Sequence, residues 1–369
     1  MKYLAVLGRQ PEISKAEILA QFPEVEFVFV GKDAVIFETE KEVRISRFGG
    51  MLKVGVLISE RPLEFLKRLP EGKITLGVSD YSGGASRRSA AEMALKLKKI
   101  LVRHGRSVRV VENKAATLST ATVLHNGLSG RNERKVEILK VNDEFYRTIG
   151  VQDIEAYARR DQARPARDAK VGMLPPKLAQ ILINLCGPLE PGARVLDPFC
   201  GTGVVLQEAI LMGYEAYGTD ISERMIEYSE KNLRWLAPDA LESDIFTLSQ
   251  GDATSFSWEG EIDAVACEGY LGRPMSKVPS EMVLKAEKQE CSTIILGFLK
   301  NLAGQIKAGT PVVVACPAWL QENGKYSQLE ILDEKVGNWY NVSNKSREGL
   351  LYHRDGQIVA RDIIILRKK

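Results

Sequence analysis

The chain has 369 residues, of which 44% are hydrophobic and 27% charged, and its net charge is +3. That length is enough for two or three domains with a substantial core, and the composition is that of an ordinary globular protein, which excludes disordered and collagen-like classes. So small a net charge does not by itself indicate nucleic-acid binding, so any basic footprint is local.

Five scattered cysteines and three histidines argue against a disulfide framework or a metal centre, and they fit a reducing, cytoplasmic compartment. The apolar run at the N-terminus, Met1 to Gly8, is too short for a signal peptide, and no stretch has the length of a membrane span.

Residues 1–60 read as a small α+β unit. Tyr3 to Leu7 is a strand, and Lys15 to Gln21 is a helix. Ser14 stands as its cap, with Glu17 at the third following position as in a capping box. Val25 to Val30 and Ala34 to Glu38 form a hairpin across Gly31-Lys32-Asp33, and Gly49 to Ile58 is a further strand. The strand-helix-strand-strand order suggests a ferredoxin-like layer.

Residues 61–152 read as a second unit. Ile74 to Ser79 is a strand, Tyr81 to Arg88 a basic Gly/Ser-rich loop, and Ala90 to His104 a helix carrying Lys96, Lys98, Lys99 and Arg103. A strand at Val108 to Val111, a short helix starting at Leu118 to Thr122, and strands Val136 to Val141 and Phe145 to Val151 complete it. The basic loop and helix suit phosphate contacts or a solvated helix face equally well.

Residues 153–172 form a polar linker, Arg-rich from Arg159 to Arg167. Residues 173–369 read as an α/β domain. Its helix opens at Met173-Leu174-Pro175-Pro176-Lys177, where prolines suit the first turn. Strands follow at Tyr214 to Asp220, Ile262 to Cys267 and Pro311 to Cys316. Helices are expected at Glu223 to Leu236 and Met282 to Leu302. The last strands are Val342 to Ser346, Gly349 to His353 and Ile358 to Leu366, with a hairpin turn near Asp355-Gly356.

The domain is organised around Val195-Leu196-Asp197-Pro198-Phe199-Cys200-Gly201-Thr202-Gly203. Val195 and Leu196 end a strand, and the helical run Val204 to Met212 follows the second glycine. A strand, a tight Gly-x-Gly turn and a helix start make a ligand-binding corner. A dinucleotide fingerprint wants a third glycine where Leu206 stands. Asp197 at the strand tip repels pyrophosphate but suits a ligand with a cationic amine, such as S-adenosylmethionine. Asp220 lies 23 residues after Asp197, a spacing that reaches a ribose diol. Asp252, in Gln250-Gly251-Asp252-Ala253, sits at a third strand end, where a carboxylate accepts an adenine amino group. The cofactor set is then Asp197, Phe199, Gly201, Thr202, Gly203, Asp220, Ile221, Asp252 and Ala253.

Over nearly its whole length the chain resembles the THUMP-containing RNA methyltransferases, nearest the tRNA guanine-N2 methyltransferases that modify position 10. The resemblance rests on Leu7 to Ile18, on Arg159-Arg160-Asp161 through Gly172 to Ala179, on Asp197 to Gly203, and on Gly356 to Ile363. It implies a Rossmann-like methyltransferase domain with a seven-stranded mixed sheet. Before it would stand a ferredoxin-like domain and a THUMP domain that hold tRNA, with Arg87, Arg88, Lys98 and Lys99 as candidate RNA contacts. A small activator subunit is a further possible partner.

In that family an Asp/Asn-Pro-Pro-Tyr/Phe loop follows the fourth strand. A side-chain oxygen and a backbone carbonyl accept the protons of the target amine, and the aromatic ring stacks on the extruded base. Here the loop reads Ala266-Cys267-Glu268-Gly269-Tyr270-Leu271-Gly272, without prolines. Shifting by one residue gives Glu268 the acidic role, places the carbonyl acceptor near Gly269, and leaves Tyr270 to stack. The alternatives are a non-catalytic tRNA-binding factor that keeps the fold, and an amino-methyltransferase with another nucleic-acid target.

Overall fold

The structure, a computed structural model, describes residues 1–168, 173–237, 245–331, 334–343 and 349–369. It divides into two compact units, Met1–Ala156 and Tyr157–Lys369.

The first unit contains β1 (Lys2–Leu7), α1 (Pro11–Gln21), β2 (Phe27–Val30), β3 (Ala34–Glu38), β4 (Met51–Leu57), α2 (Pro62–Lys67), β5 (Ile74–Asp80), α3 (Arg87–Arg103), β6 (Val108–Val110), α4 (Thr120–His125), β7 (Lys135–Val141) and β8 (Glu144–Val151). The strands form one eight-stranded sheet in the order β2-β3-β1-β4-β8-β7-β5-β6. Strands β4 and β8 pair antiparallel from Lys53↔Val151 to Leu57↔Tyr146, so residues 1–60 and 61–152 share this sheet. Strand β5 is buried along its whole length and pairs parallel with both β6 and β7. Its position between two strands covers the polar Thr75, Ser79 and Asp80 as well as the apolar Ile74, Leu76 and Val78.

Two local readings in the first unit change. Helix α1 starts at Pro11, not at Lys15, because proline is pre-organised for the first helical turn. Ser14 and Glu17 therefore lie inside the helix, and the sequence pattern of a capping box is accidental. Glu17 is fully buried, and its carboxylate accepts the N–H groups of Gly49 and Gly50, both at 2.8 Å. Helix α3 starts at Arg87, capped by Ser86 and Ser89 in a reciprocal box, so Arg87 and Arg88 are helical and not in the loop. Its buried residues Ala90, Ala94, Leu97 and Leu101 form one face at helical spacing.

Helix α5 (Ile154–Gln162) straddles the division between the units. The segment read as a linker is thus partly helical, and residues 163–168 are built into the second unit, residues 169–172 lying outside the described residues. Arg164, Ala166 and Asp168 are buried, and Arg160 donates to the buried Glu208 carboxylate at 2.6 and 3.1 Å.

The second unit continues with α6 (Pro176–Leu185), β9 (Arg194–Asp197), α7 (Val204–Leu211), β10 (Glu215–Asp220), α8 (Glu223–Leu236), β11 (Phe246–Gln250), β12 (Ala264–Glu268), α9 (Glu281–Ala303), β13 (Pro311–Leu320), β14 (Tyr326–Gln328), α10 (Glu334–Trp339), β15 (Tyr340–Val342), β16 (Leu351–Tyr352) and β17 (Val359–Lys368). Seven strands run in the order β11-β10-β9-β12-β13-β17-β15. The first five are parallel, while β17 runs antiparallel to β13, and β15 to β17. This is the expected Rossmann-like mixed sheet, with β14 and β16 added beside β13 and β17. Its core gathers Leu196, Trp258, Val265, Phe298, Val312 and Ile364. The strand read as Val342 to Ser346 ends at Val342, and its residues from 344 onward lie outside the described residues. No helix among the described residues is long and apolar enough to cross a membrane.

Candidate active site

The parallel strands β9, β10 and β12 end side by side in Asp197, Asp220 and Glu268. In a doubly wound sheet this edge is where ligands bind, because the loops part there and helix N-termini face outward. Between β9 and α7 the chain turns through Gly201 and Gly203, whose φ values are 52° and 77°. A Cβ on Gly203 would lie 2.9 Å from Ser229 Oγ, so only glycine lets the turn pack on α8. A Cβ on Gly201 would meet nothing closer than Phe199 O at 3.9 Å, leaving that face open to a ligand.

Helix α8 clamps the turn from behind. Ser229 Oγ donates to Gly201 O at 2.8 Å, and Asn232 Nδ2 donates to Thr202 O at 2.8 Å. Asn232 also exchanges hydrogen bonds with the backbone of Ala166, which ties the segment before the domain to the same turn. Arg164 is buried, with its guanidinium 3.5 Å from Thr202 Oγ1. These three residues were not read from the sequence. Their signal is weak: Ser229 and Asn232 are polar positions on the buried face of an amphipathic helix.

Asp197 is 2% exposed and accepts the Phe199 N–H at 3.0 Å. Burial pushes its carboxyl well above the usual range, and the neighbouring charges of Asp220 and Glu268 push the same way. Asp220 accepts N–H groups from Gly201 and Ser222, both at 2.9 Å, yet burial still raises its carboxyl. Among the described residues, neither acid has a lysine or arginine in ion-pair contact. A buried and a half-buried carboxylate side by side without a cation are costly, and a bound ammonium or sulfonium relieves that cost.

The other members of the expected cofactor set are nearby in the topology. Phe199 packs edge-on against Phe298 with ring centroids 5.2 Å apart. Ile221, just past Asp220, is 69% exposed, an apolar surface left uncovered at the ligand edge. Asp252 follows β11 and is exposed, with Oδ1 accepting the Thr254 N–H and hydroxyl at 2.9 and 2.8 Å. Ala253 is buried in the core beneath it.

The loop after β12 is held in a way that prolines would otherwise provide. Gly269 donates its N–H to Ala315 O at 3.0 Å, and Arg273 donates its N–H to Glu287 Oε2 at 3.1 Å. Tyr270 donates its hydroxyl to Glu290 Oε1 at 3.1 Å, and burial together with that carboxylate pushes the phenol up to about 12. Glu268 is not a free surface acid. Arg361 Nε donates to its Oε1 at 2.6 Å, and Arg361 is 4% exposed. Burial raises Glu268, while Arg361 opposes the rise. Arg361 was also missed, although an Arg-Asp pair within an apolar strand is itself a signal of buried partners.

The candidate RNA contacts lie in the other unit. Arg87 and Arg88 are exposed at the start of α3, paired with Glu112 at 3.2 Å and Glu92 at 2.7 Å. Lys99 is exposed and Lys98 half-buried. Among the described residues no group of His, Cys, Asp and Glu is placed to hold a metal ion.

Residues 164–287 match a family of methyltransferase domains described as UPF0020, RMKL-like. The chain is 32% identical over 184 residues to the tRNA (guanine(10)-N2)-dimethyltransferase of Methanothermobacter thermautotrophicus, covering 49% of each chain. It is 27% identical over 263 residues to the enzyme of the same name from Pyrococcus abyssi, covering 69% of this chain and 72% of that one. The chain thus spans about half the length of the first relative. The crystal structure of TrmN from Thermus thermophilus aligns over the whole of both chains at 20% identity and a TM-score of 0.47.

Proposed function

We propose that this chain is an S-adenosylmethionine-dependent methyltransferase acting on an exocyclic amine of tRNA, with guanine N2 of the position-10 type as the target. The observation that carries this reading is the pair of carboxylates without a cation among the described residues, the buried Asp197 and the half-buried Asp220, beside the open face of Gly201. Asp197 receives the cationic end of the cofactor, Asp220 its ribose, Ile221 its adenine face and Asp252 the adenine amino group. The cofactor, when bound, supplies an electrophilic methyl and leaves as a neutral thioether, so the protein needs no strong base.

What the amine needs is alignment. Its lone pair is delocalised into the guanine ring, and acceptors for both N–H groups draw it toward the methyl carbon. Glu268 accepts one proton and a carbonyl near Gly269 the other, while Tyr270 gives the base a stacking face. As the N–C bond forms, the surplus amine proton passes to Glu268 or to water.

The N-terminal unit serves as the tRNA-docking part, with a ferredoxin-like domain over 1–60 and a THUMP-like domain over 61–152. The names of the two relatives support the substrate. Five buried free thiols support a reducing, cytoplasmic setting.

The test is methyl transfer from labelled S-adenosylmethionine to unmodified tRNA transcripts, read by nucleoside mass spectrometry. N2-methylguanosine is expected. A different methylated nucleoside moves the target and keeps the site. Binding of both substrates without any product would overturn the reading for the isolated chain and leave a tRNA-binding factor, or an enzyme needing an activator subunit.

A further inference from the structure

Three carboxylates meet at the ends of β9, β10 and β12, and they are not equivalent. Among the described residues Asp197 and Asp220 accept hydrogen bonds from backbone N–H groups and face no protein cation. Glu268 has a cation of its own, the nearly buried Arg361. The site therefore holds two acids that lack a positive partner and one whose charge is already matched.

We propose that Arg361 is a positioning residue for methyl transfer: it holds Glu268 by one carboxylate oxygen and leaves the other to the incoming amine. This rests on the reading of Glu268 as the amine acceptor. The Nε contact engages Oε1, whereas Oε2 has no protein partner among the described residues, and the Glu268 side chain keeps 16% of its surface exposed. A carboxylate held at one oxygen has one degree of freedom fixed and one acceptor left over, which is what aligning an N–H requires.

The placement of Arg361 explains how a proline-free loop keeps its acid in place. Arg361 lies opposite Pro317 within the β13–β17 ladder, which runs through nine residue pairs from Pro311↔Arg367 to Trp319↔Val359. Residues 269–273 follow Glu268 and carry the aromatic face for the base. Arg361 belongs to a different strand, so movement of that loop on base entry leaves the hold on Glu268 intact. The pairing also governs charge. The ionisable groups facing Glu268 are Arg361 from β17, Asp197 from β9 and the Cys267 thiol on its own strand. Of these only Arg361 favours the ionised carboxylate. Without it, Glu268 takes up a proton at higher pH and stops accepting hydrogen bonds through both oxygens.

The test uses the full chain with Arg361→Gln and Arg361→Lys. Each is measured for thermal unfolding, S-adenosylmethionine affinity, the kcat and KM split with tRNA, and the pH–rate profile. Titration of the Glu268 carboxyl carbon by NMR, assigned with Glu268→Gln, is read in parallel. For Arg361→Gln the expected result is a kcat about 100-fold lower, with cofactor affinity and the tRNA KM within threefold of the parent. The acid limb of the profile and the Glu268 titration both move to higher pH. Arg361→Lys keeps a cation without the rigid guanidinium fork, so the Glu268 titration stays near the parent's while kcat falls about tenfold.

A folded Arg361→Gln with unchanged kcat and unchanged Glu268 titration overturns the proposal. If that variant does not fold, Arg361→Lys with kcat within twofold of the parent does so. A parent protein that transfers no methyl group sinks the functional reading instead. The NMR titration then still decides whether Arg361 controls the charge of Glu268.

Discussion

Replacing Asp197 with Asn should make the ligand-free protein more stable and the cofactor complex far weaker. Asp197 is buried beside two other acids, so its folded carboxyl is raised above the ordinary carboxylate value. For an acid raised in this way, the stabilising contribution is present below the unfolded value and is lost as pH rises through the folded one. At pH 8, far above the unfolded value, burying this carboxyl therefore opposes folding, and the isosteric amide removes that opposition while still accepting the Phe199 N–H. The melting temperature of Asp197→Asn is expected to exceed that of the parent at pH 8, the gap narrowing as pH falls.

The ligand effect has the opposite sign. One carboxylate about 4 Å from a cation, at an effective dielectric constant of about 20, is worth about 4 kcal/mol, or roughly a thousandfold in affinity. At a hundredfold excess of S-adenosylmethionine over the parent dissociation constant, the parent gains about 2.7 kcal/mol. For a domain of this size that is a rise of roughly 5–10 °C in melting temperature, and the variant should show almost none. Differential scanning fluorimetry with and without ligand, backed by calorimetric titration, reads both halves. A variant that melts below the parent at pH 8, or that binds within threefold of it, would refute the assignment of Asp197 to a cationic ligand.

Glu268→Gln should lower kcat by at least about 100-fold, the cost of a misplaced reacting group, and leave cofactor affinity within threefold; single-turnover transfer with equilibrium dialysis checks this. Gly203→Ala forces a side chain into the left-handed region and against Ser229. It should cost about 1–2 kcal/mol from the backbone alone, seen as a lower denaturation midpoint, and should weaken cofactor binding as well. Lys53→Met leaves the fully buried Glu137 without the ammonium now 2.6 Å away. Chemical denaturation should register a loss of about 3–5 kcal/mol, and a loss below 1 kcal/mol would mean that Ser79 and Thr148 satisfy Glu137 alone.

Much of the fold was legible because it is written in local patterns. Strand β12 is an apolar run ended by a turn, α8 is amphipathic along its length, and the Gly-Thr-Gly turn announces a strand-to-helix corner. What misled was local pattern without its tertiary partner. Ser14-x-x-Glu17 has the spacing of a capping box, but Pro11 starts the helix earlier. Glu17 instead reaches the Gly49 and Gly50 amides, more than 30 residues away in sequence. No window of a dozen residues contains that contact. The Arg-rich segment before the domain failed as a linker for the same reason. Its arginines look solvated in sequence, yet Arg160 and Arg164 meet Glu208 and Thr202 in the fold.

The acids at the strand ends follow the same division. Their positions came from the sequence, since each ends a strand beside a turn. Their roles did not, because a role depends on which of them has a counter-charge. Asp197, Asp220 and Glu268 are three similar carboxylates until Arg361 is added from a strand 93 residues further on. With it, Glu268 has a counter-charge whether or not a ligand is present, whereas Asp197 and Asp220, without a cation among the described residues, gain one when the ligand supplies it. Cofactor capture and amine alignment are thereby assigned to different acids, and the assignment is made by Arg361, the cation that the strand order brings to this edge.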